Sequence, residues 1–303
     1  MKKFSLPFSI LITILFFSHC GENLKQKGSP EYIKEIQQWH KKREDRLRKE
    51  NGWLNLVGLY WLKEGANTFG SAKDNNIVFP SNAPAHIGTF ILNDSIVTIN
   101  VNENVIVLHD SEEVRSMPLE NDLEENTTVL QAGTLRWYII KRGEKYGVRL
   151  RNLNASLIKE FKGIDIYPIN EDWKITAKFK PYIPAKKIMI PTILGTTEED
   201  VSPGYLSFKI EGKDYKLDAL QSSDGFFIIF ADQTSGEETY GAGRFIYTDE
   251  PDSNGNVILD FNKAYNPPCV FTKFATCPLP PEQNYLHLRV VAGEKMYGAG
   301  HSN

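Results

Sequence analysis

Between Asp232 and Asn266 the chain gathers side chains that could do chemistry. DQTSGEETYGAGRF (232–245) sets Asp232, Thr234, Ser235, Glu237, Glu238, Tyr240 and Arg244 around three glycines, and Asp260, Asn262, Tyr265 and Asn266 follow. Glycine lets a backbone approach a ligand closely or adopt positive φ. In one arrangement Arg244 anchors a carboxylate or phosphate, Glu238 or Asp260 acts as a base, and Tyr240 donates a proton. That is the constellation of a hydrolase acting on a small polar or envelope-derived substrate. Without catalysis, Asp232, Thr234, Ser235, Arg244, Asn262 and Asn266 would line a site for a small polar ligand. In the other arrangement the same residues cap their own backbone, and Arg244 forms a structural ion pair with Asp260 or Glu238. Ion-pair networks and sites look alike in one dimension, and the structural arrangement is the favoured one.

A second group of reactive side chains lies in YNPPCVFTKFATCPLPPEQN (265–284), which holds Cys269 and Cys277, two of the chain's three cysteines. A disulfide between them ranks first, and separately buried thiols second. Metal binding ranks a distant third, because the spacing is not that of a zinc knuckle and no histidine stands at a recognised offset. A catalytic thiolate would have only His287 as a sequence-near base. There is no G-x-S-x-G elbow, H-E-x-x-H or P-loop. DSNGN (252–256) reads as an Asn-Gly hairpin turn rather than a calcium loop. No metal or cofactor is implied.

These residues must be positioned by a β framework. Ser29-Pro30-Glu31 opens a helix, with Ser29 as N-cap and Pro30 in the first turn. Ile33, Ile36, His40, Arg43 and Leu47 then form one stripe, and the element extends over 30–52. From Trp53 onward short runs rich in β-branched and aromatic residues take over. In 173–180, Trp173, Ile175, Ala177 and Phe179 alternate with polar residues. The turn dipeptides Arg142-Gly143, Glu211-Gly212, Asp224-Gly225 and Asn254-Gly255 separate such runs. The fold class is all-β, of sandwich or barrel type with antiparallel sheets and one N-terminal amphipathic helix. The acidic stretch 112–126 reads as a boundary between an N-terminal β unit (53–111) and a C-terminal one (127–303), the two being able to share a core. Trp53, Tyr60 and Trp61 suit a ligand platform, though alternating strands more often bury aromatics in the core.

The N-terminus reads as an address. Lys2 and Lys3 precede the apolar run FSLPFSILITILFF, which is short for a membrane-spanning helix and suits an export signal over 1–19. Cys20 and the polar run after it form a tether over 20–29. The junction resembles the lipobox of bacterial lipoproteins, in which the cysteine is lipidated, although His19 stands where that pattern has a small residue. The resemblance implies anchoring to a membrane outside the cytoplasm through Cys20, or secretion if Cys20 carries no lipid. A net charge of −3 without a basic block argues against nucleic acid as a partner.

Four blocks, GWLNLVGLYWLKEGANTFGSAKDNNIVFP, GTLRWYIIKRGEKYGVRLRN, DQTSGEETYGAGRFIYTDEP and LDFNKAYNPPCVFTKFATCPLPPEQNYLHLRVVAGEKMY, together resemble the family known as domain of unknown function 1684. The resemblance implies a globular, often exported protein and supplies no catalytic residues. GANTFGSAKDNNIVFPSNAPAHIGTF (65–90) is similar to forkhead-associated domains, β-sandwiches that bind phosphothreonine. That function uses an arginine and a serine where this chain has Ser71 and Ala83, so the phosphate-clamping guanidinium is missing. The reading as a whole is an exported, lipid-anchored envelope protein with a non-enzymatic binding or scaffold role.

Overall fold

The computed structural model describes residues 24–298. The expected signal segment and Cys20 lie outside the described residues. Helix α1 (Pro30–Arg48) is capped as its sequence predicts: Ser29 Oγ accepts the Tyr32 N–H at 3.2 Å, and Pro30 occupies the first turn. Its buried stripe is Tyr32, Ile36, His40, Arg43 and Leu47. The stripe is entered through Tyr32 because the phenol reaches the buried Asp260 carboxylate at 2.9 Å, which leaves Ile33 only partly covered.

The first β unit is a sandwich of two sheets. One has the strand order β1 (Leu56–Trp61), β11 (Lys145–Asn152), β10 (Leu135–Arg142), β9 (Leu130–Ala132), β6 (Leu108–His109), β7 (Glu112–Glu113). The other has the order β3 (Ile77–Val78), β2 (Gly65–Gly70), β4 (Gly88–Asn93), β5 (Ile96–Val101), β8 (Ser116–Leu119). Between them Phe69, Phe90, Trp137, Ile139, Val148 and Leu150 form a closed core. The alternation along β10 and β11 supplies these inward residues and turns every second side chain to the outer face.

The boundary expected at 112–126 falls inside this sandwich. Strands β7 and β8 lie within that stretch, and strands beyond it return to pair with β1, as in Leu59↔Arg149. Its acidic composition reflects short, mostly exposed edge strands and turns, whose few residues show no period. The chain leaves the sandwich after Asn152 and passes through the short helix α2 (Ser156–Glu160).

The second unit is a single six-stranded sheet with the order β16 (Arg244–Asp249), β15 (Gly225–Phe230), β14 (Lys213–Ser222), β13 (Thr197–Ile210), β12 (Lys174–Pro191), β17 (Asn256–Asp260). Its terminal strands β16 and β17 come together, so the sheet curls into a nearly closed barrel. Every pairing in it is antiparallel. Leu206, Leu217, Phe226, Ile228, Phe230, Leu259 and Phe261 fill it, with Leu286, Val290 and Ala292 of the C-terminal segment closing one side. Along β12, Ala177 points inward while Lys174, Lys178 and Lys180 are exposed. Beyond β17 the chain forms no further strand up to residue 298 but runs through short 3₁₀ turns.

Within α1, His40 is buried and its Nε2–H donates to the Asn262 carbonyl at 2.9 Å. Burial pushes its pKa down to about 4. The folded state therefore keeps His40 neutral where the unfolded chain takes up a proton, so stability is present above about pH 6.5 and is lost as pH falls toward 4. Urea unfolding at about pH 7.5 and pH 5 should show a loss of about 2 kcal/mol from this group, and the loss should shrink in His40→Gln.

Candidate ligand-binding cleft

The residues of 232–266 do not converge. Arg244 is buried at the start of β16 and is held by protein: its guanidinium meets Asp232 at 2.7 Å, the Val290 carbonyl at 2.9 Å and the carbonyl of Ala292. Its ion-pair partner is thus Asp232, not the expected Asp260 or Glu238. Asp232 also accepts the Thr234 N–H and hydroxyl, and Ser235 Oγ accepts the Asp232 N–H at 3.2 Å. This is a loop capping its own backbone.

Asp260 receives the Tyr32 hydroxyl and the Asn262 N–H, and Asn262 Nδ2 donates to the Asn170 carbonyl. Glu238 takes the Tyr167 hydroxyl at 2.9 Å and pairs with Arg289 on the surface. Asn266 donates its N–H to Glu294 and its Nδ2–H to the Lys295 carbonyl. Tyr240 contacts Cys269, and burial followed by that contact pushes its pKa up. The base, anion anchor and proton donor of a hydrolase are therefore engaged in separate structural networks. Cys269 and Cys277, expected as a bridge, are free thiols, with Cys277 Sγ accepting the Cys269 N–H at 3.1 Å.

A different site emerges where α1, the outer face of the β10–β11 hairpin, the outer face of β15–β16 and the cysteine loop meet. A cleft of about 800 Å³ opens there, within the usual size range for a small-molecule site. Its lining includes Arg43, Arg46, Lys49, Arg142, Arg149 and Lys263, and no carboxylate. Trp39, Trp53, Phe227, Phe245, Tyr247 and Tyr265 provide aromatic walls. The charges differ in how they are compensated. Arg43 pairs with Glu294, Arg142 with Asp122 and Lys263 with Glu35.

Arg149 has no ion-pair partner among the described residues although it is only 4% exposed. One of its terminal nitrogens donates to Thr276 Oγ1 at 3.1 Å, while its Nε is buried without a partner. The guanidinium lies 5.6 Å from the Trp53 ring centre and 6.0 Å from that of Tyr138. Thr276 also accepts from Arg142 Nε at 3.2 Å, so one hydroxyl serves both cations. A buried guanidinium with an unmade hydrogen bond and no counter-charge is costly, and an anion entering the cleft would supply the counter-charge.

Local sequence explains the position. Tyr146, Val148 and Leu150 point into the sandwich core, which turns Gly147, Arg149 and Arg151 outward. Gly147 leaves room there for the Trp61 ring packed over it, since a Cβ would stand 2.9 Å from that ring and force it to shift. Of the aromatic run noted in the sequence, Trp53 lines the cleft, Tyr60 packs against Phe79 on the sandwich core, and Trp61 covers Gly147.

A neighbouring hollow of about 670 Å³ shares Lys49 and Asn51 with the cleft. It is the weaker candidate, because its Arg151 is bonded to Gly52, Asn55 and Tyr138 and its Arg136 is neutralised by Glu50. The signal missed in the sequence was V-R-L-R at 148–151, two arginines on the outward positions of a strand.

The two arginines separate by experiment. Arg244→Met should lower unfolding free energy by about 3–5 kcal/mol, because it strands the buried Asp232 carboxylate. Arg149→Met should not destabilise the chain comparably, since no carboxylate is left behind. Paired urea titrations read both.

No curated protein matches the chain. Among solved structures, an uncharacterized protein of Haloarcula marismortui is 28% identical, with a TM-score of 0.39 over 47% of this chain and 80% of that one. The FhaA FHA domain, in a complex with the intracellular domain of Rv3910, is 13% identical with a TM-score of 0.22 over 31% of this chain and 97% of that domain. The first two blocks quoted from the sequence lie outside the family match, in the sandwich. Residues 159–295, the barrel-like unit and its C-terminal loops, match the family described as "Protein of unknown function (DUF1684)", which supports the resemblance carried by the last two blocks.

Proposed function

We propose that the protein is a binding module whose cleft takes a small anionic ligand with an aromatic or otherwise flat apolar body. The observation that carries this reading is Arg149, a buried arginine with an unpartnered Nε and no carboxylate beside it. Arg46 and Lys49 add positive charge at the cleft, and Trp53, Phe245 and Tyr265 offer faces for a ring. The ligand's carboxylate or phosphate would replace water at the guanidinium, a charge-assisted bond of the stronger kind. Hydrolysis by Glu238, Tyr240, Arg244 and Asp260 has no support in their placement, so the role is binding without turnover at that cluster.

The same reading places the protein at a membrane outside the cytoplasm, held by a lipid on Cys20, with the cleft presented on the far side of the polar tether. The support is the N-terminal sequence alone: the basic start, the apolar run and the cysteine at its end.

Titrating the protein with phenyl phosphate while recording tryptophan fluorescence should give a saturable change, with uncharged phenol giving none. Arg149→Leu should weaken the interaction by about 2–5 kcal/mol, since it removes one partner of a buried charge pair. A titration unaffected by Arg149→Leu would place the ligand elsewhere. Separately, Cys20→Ser should move the protein from the membrane fraction to the soluble envelope fraction, and unchanged partitioning would sink the lipid anchor.

A further inference from the structure

The two thiols left free in the C-terminal loop differ from each other in ways that matter chemically. Cys277 is buried, at 4% exposure, while Cys269 is partly exposed. Cys277 Sγ sits 3.1 Å from the Cys269 backbone nitrogen, so its sulfur already lies over the residue it would have to bond. The phenol of Tyr240 neighbours the Cys269 thiol. The loop is pinned at its second end. There Ile193 N–H donates to the Cys277 carbonyl at 2.9 Å, and Leu279 N–H to the Pro191 carbonyl at 2.7 Å. Pro267, Pro268 and Pro278 stiffen the same frame.

We propose that Cys269 and Cys277 form a dithiol–disulfide couple that exchanges with a small disulfide, Cys269 attacking and Cys277 resolving. In the forward step the Cys269 thiolate attacks one sulfur of the substrate disulfide. A mixed disulfide forms, and the other half leaves as a thiolate that takes up a proton. Cys277 then gives up its proton and attacks Cys269 Sγ, expelling the second half as thiol. The protein dithiol loses two electrons and two protons, and the substrate disulfide gains them.

The two environments support this division of labour. The Cys277 thiol and the Tyr240 hydroxyl hold Cys269 below the ordinary thiol range, and the Cys269 contact together with burial pushes Cys277 well above it. A partly exposed thiol of low pKa beside a buried partner is the arrangement exchange chemistry needs. The proposal does not depend on the anion reading of the cleft, since Arg149 is not one of the reacting groups.

The test uses the reduced full-length chain and the uncharged 2-hydroxyethyl disulfide, followed by intact mass and peptide mapping. Lys273 lies between the two cysteines, so tryptic peptides report each separately. Wild type should end with its 269 and 277 peptides linked, the pair two hydrogens lighter, and no adduct on either. Cys277→Ser should stop with one mercaptoethanol adduct on Cys269, and Cys269→Ser should react at least about tenfold more slowly. Should either variant fail to fold, timed alkylation of native wild type gives the same order, with Cys269 modified before Cys277. Modification of Cys277 first, stable adducts on both thiols, or no reaction in a native chain that reacts in urea would each overturn the proposal. The probe is uncharged and the readout is the linked peptide pair, which separates this result from that of the ligand titration.

Discussion

The geometry around the cleft depends on one carboxylate that sees no water. Glu294, fully buried in the C-terminal segment, accepts the Asn266 N–H at 2.7 Å and Arg43 Nε at 3.3 Å. Arg43 in turn donates to the Asn266 carbonyl at 2.8 Å and lies 4.4 Å from the centre of the Tyr265 ring. Helix, barrel corner and chain end are thereby tied together at one point. Burial pushes the Glu294 pKa up, while Arg43 and the Asn266 N–H act against it. Replacing such a group by an apolar one can leave stability unchanged, whereas removing one partner strands the other. Its use here is positional: it sets the register of α1 against the loop that carries both thiols.

The same economy separates structural charges from available ones. Arg43, Arg142 and Arg244 are buried or half-buried and each has its own carboxylate. Arg244, the most enclosed of these, gives both terminal nitrogens to protein acceptors, so its burial reflects folding rather than recognition. Arg149 is enclosed to a similar extent without that compensation. Desolvating a guanidinium is tolerable if its hydrogen bonds and charge are met, and among the described residues only Thr276 meets part of them. The aromatic rings around it lower the local dielectric, which strengthens any bond an anion would make there.

The two units contribute unlike things. The sandwich offers a rigid outer face on β10 and β11, and the barrel offers β15, β16 and the loops that follow β17. Trp53 bridges them, packing against the cluster that holds Phe245 and Cys277 and lying under Arg149 and Arg151 of β11. A ligand between the units would therefore touch residues from four separate chain segments, which is usual for sites at the junction of two cores.

Period-two alternation and turn dipeptides determined the fold class and the strand positions, and a serine–proline start determined the helix, because these depend on local backbone geometry and on which side chains leave water. Alternation also assigned Val148 and Leu150 to one face and Arg149 and Arg151 to the other. It could not say that the second face would be covered, since an arginine on an outward strand position reads as solvated. Nor could it show that Asp232, rather than Asp260 or Glu238, would neutralise Arg244, or that the strands after 126 would return to pair with β1. Those outcomes follow from contacts between residues far apart in the chain, and only the tertiary structure decided which charges met a partner and which was left facing a cleft.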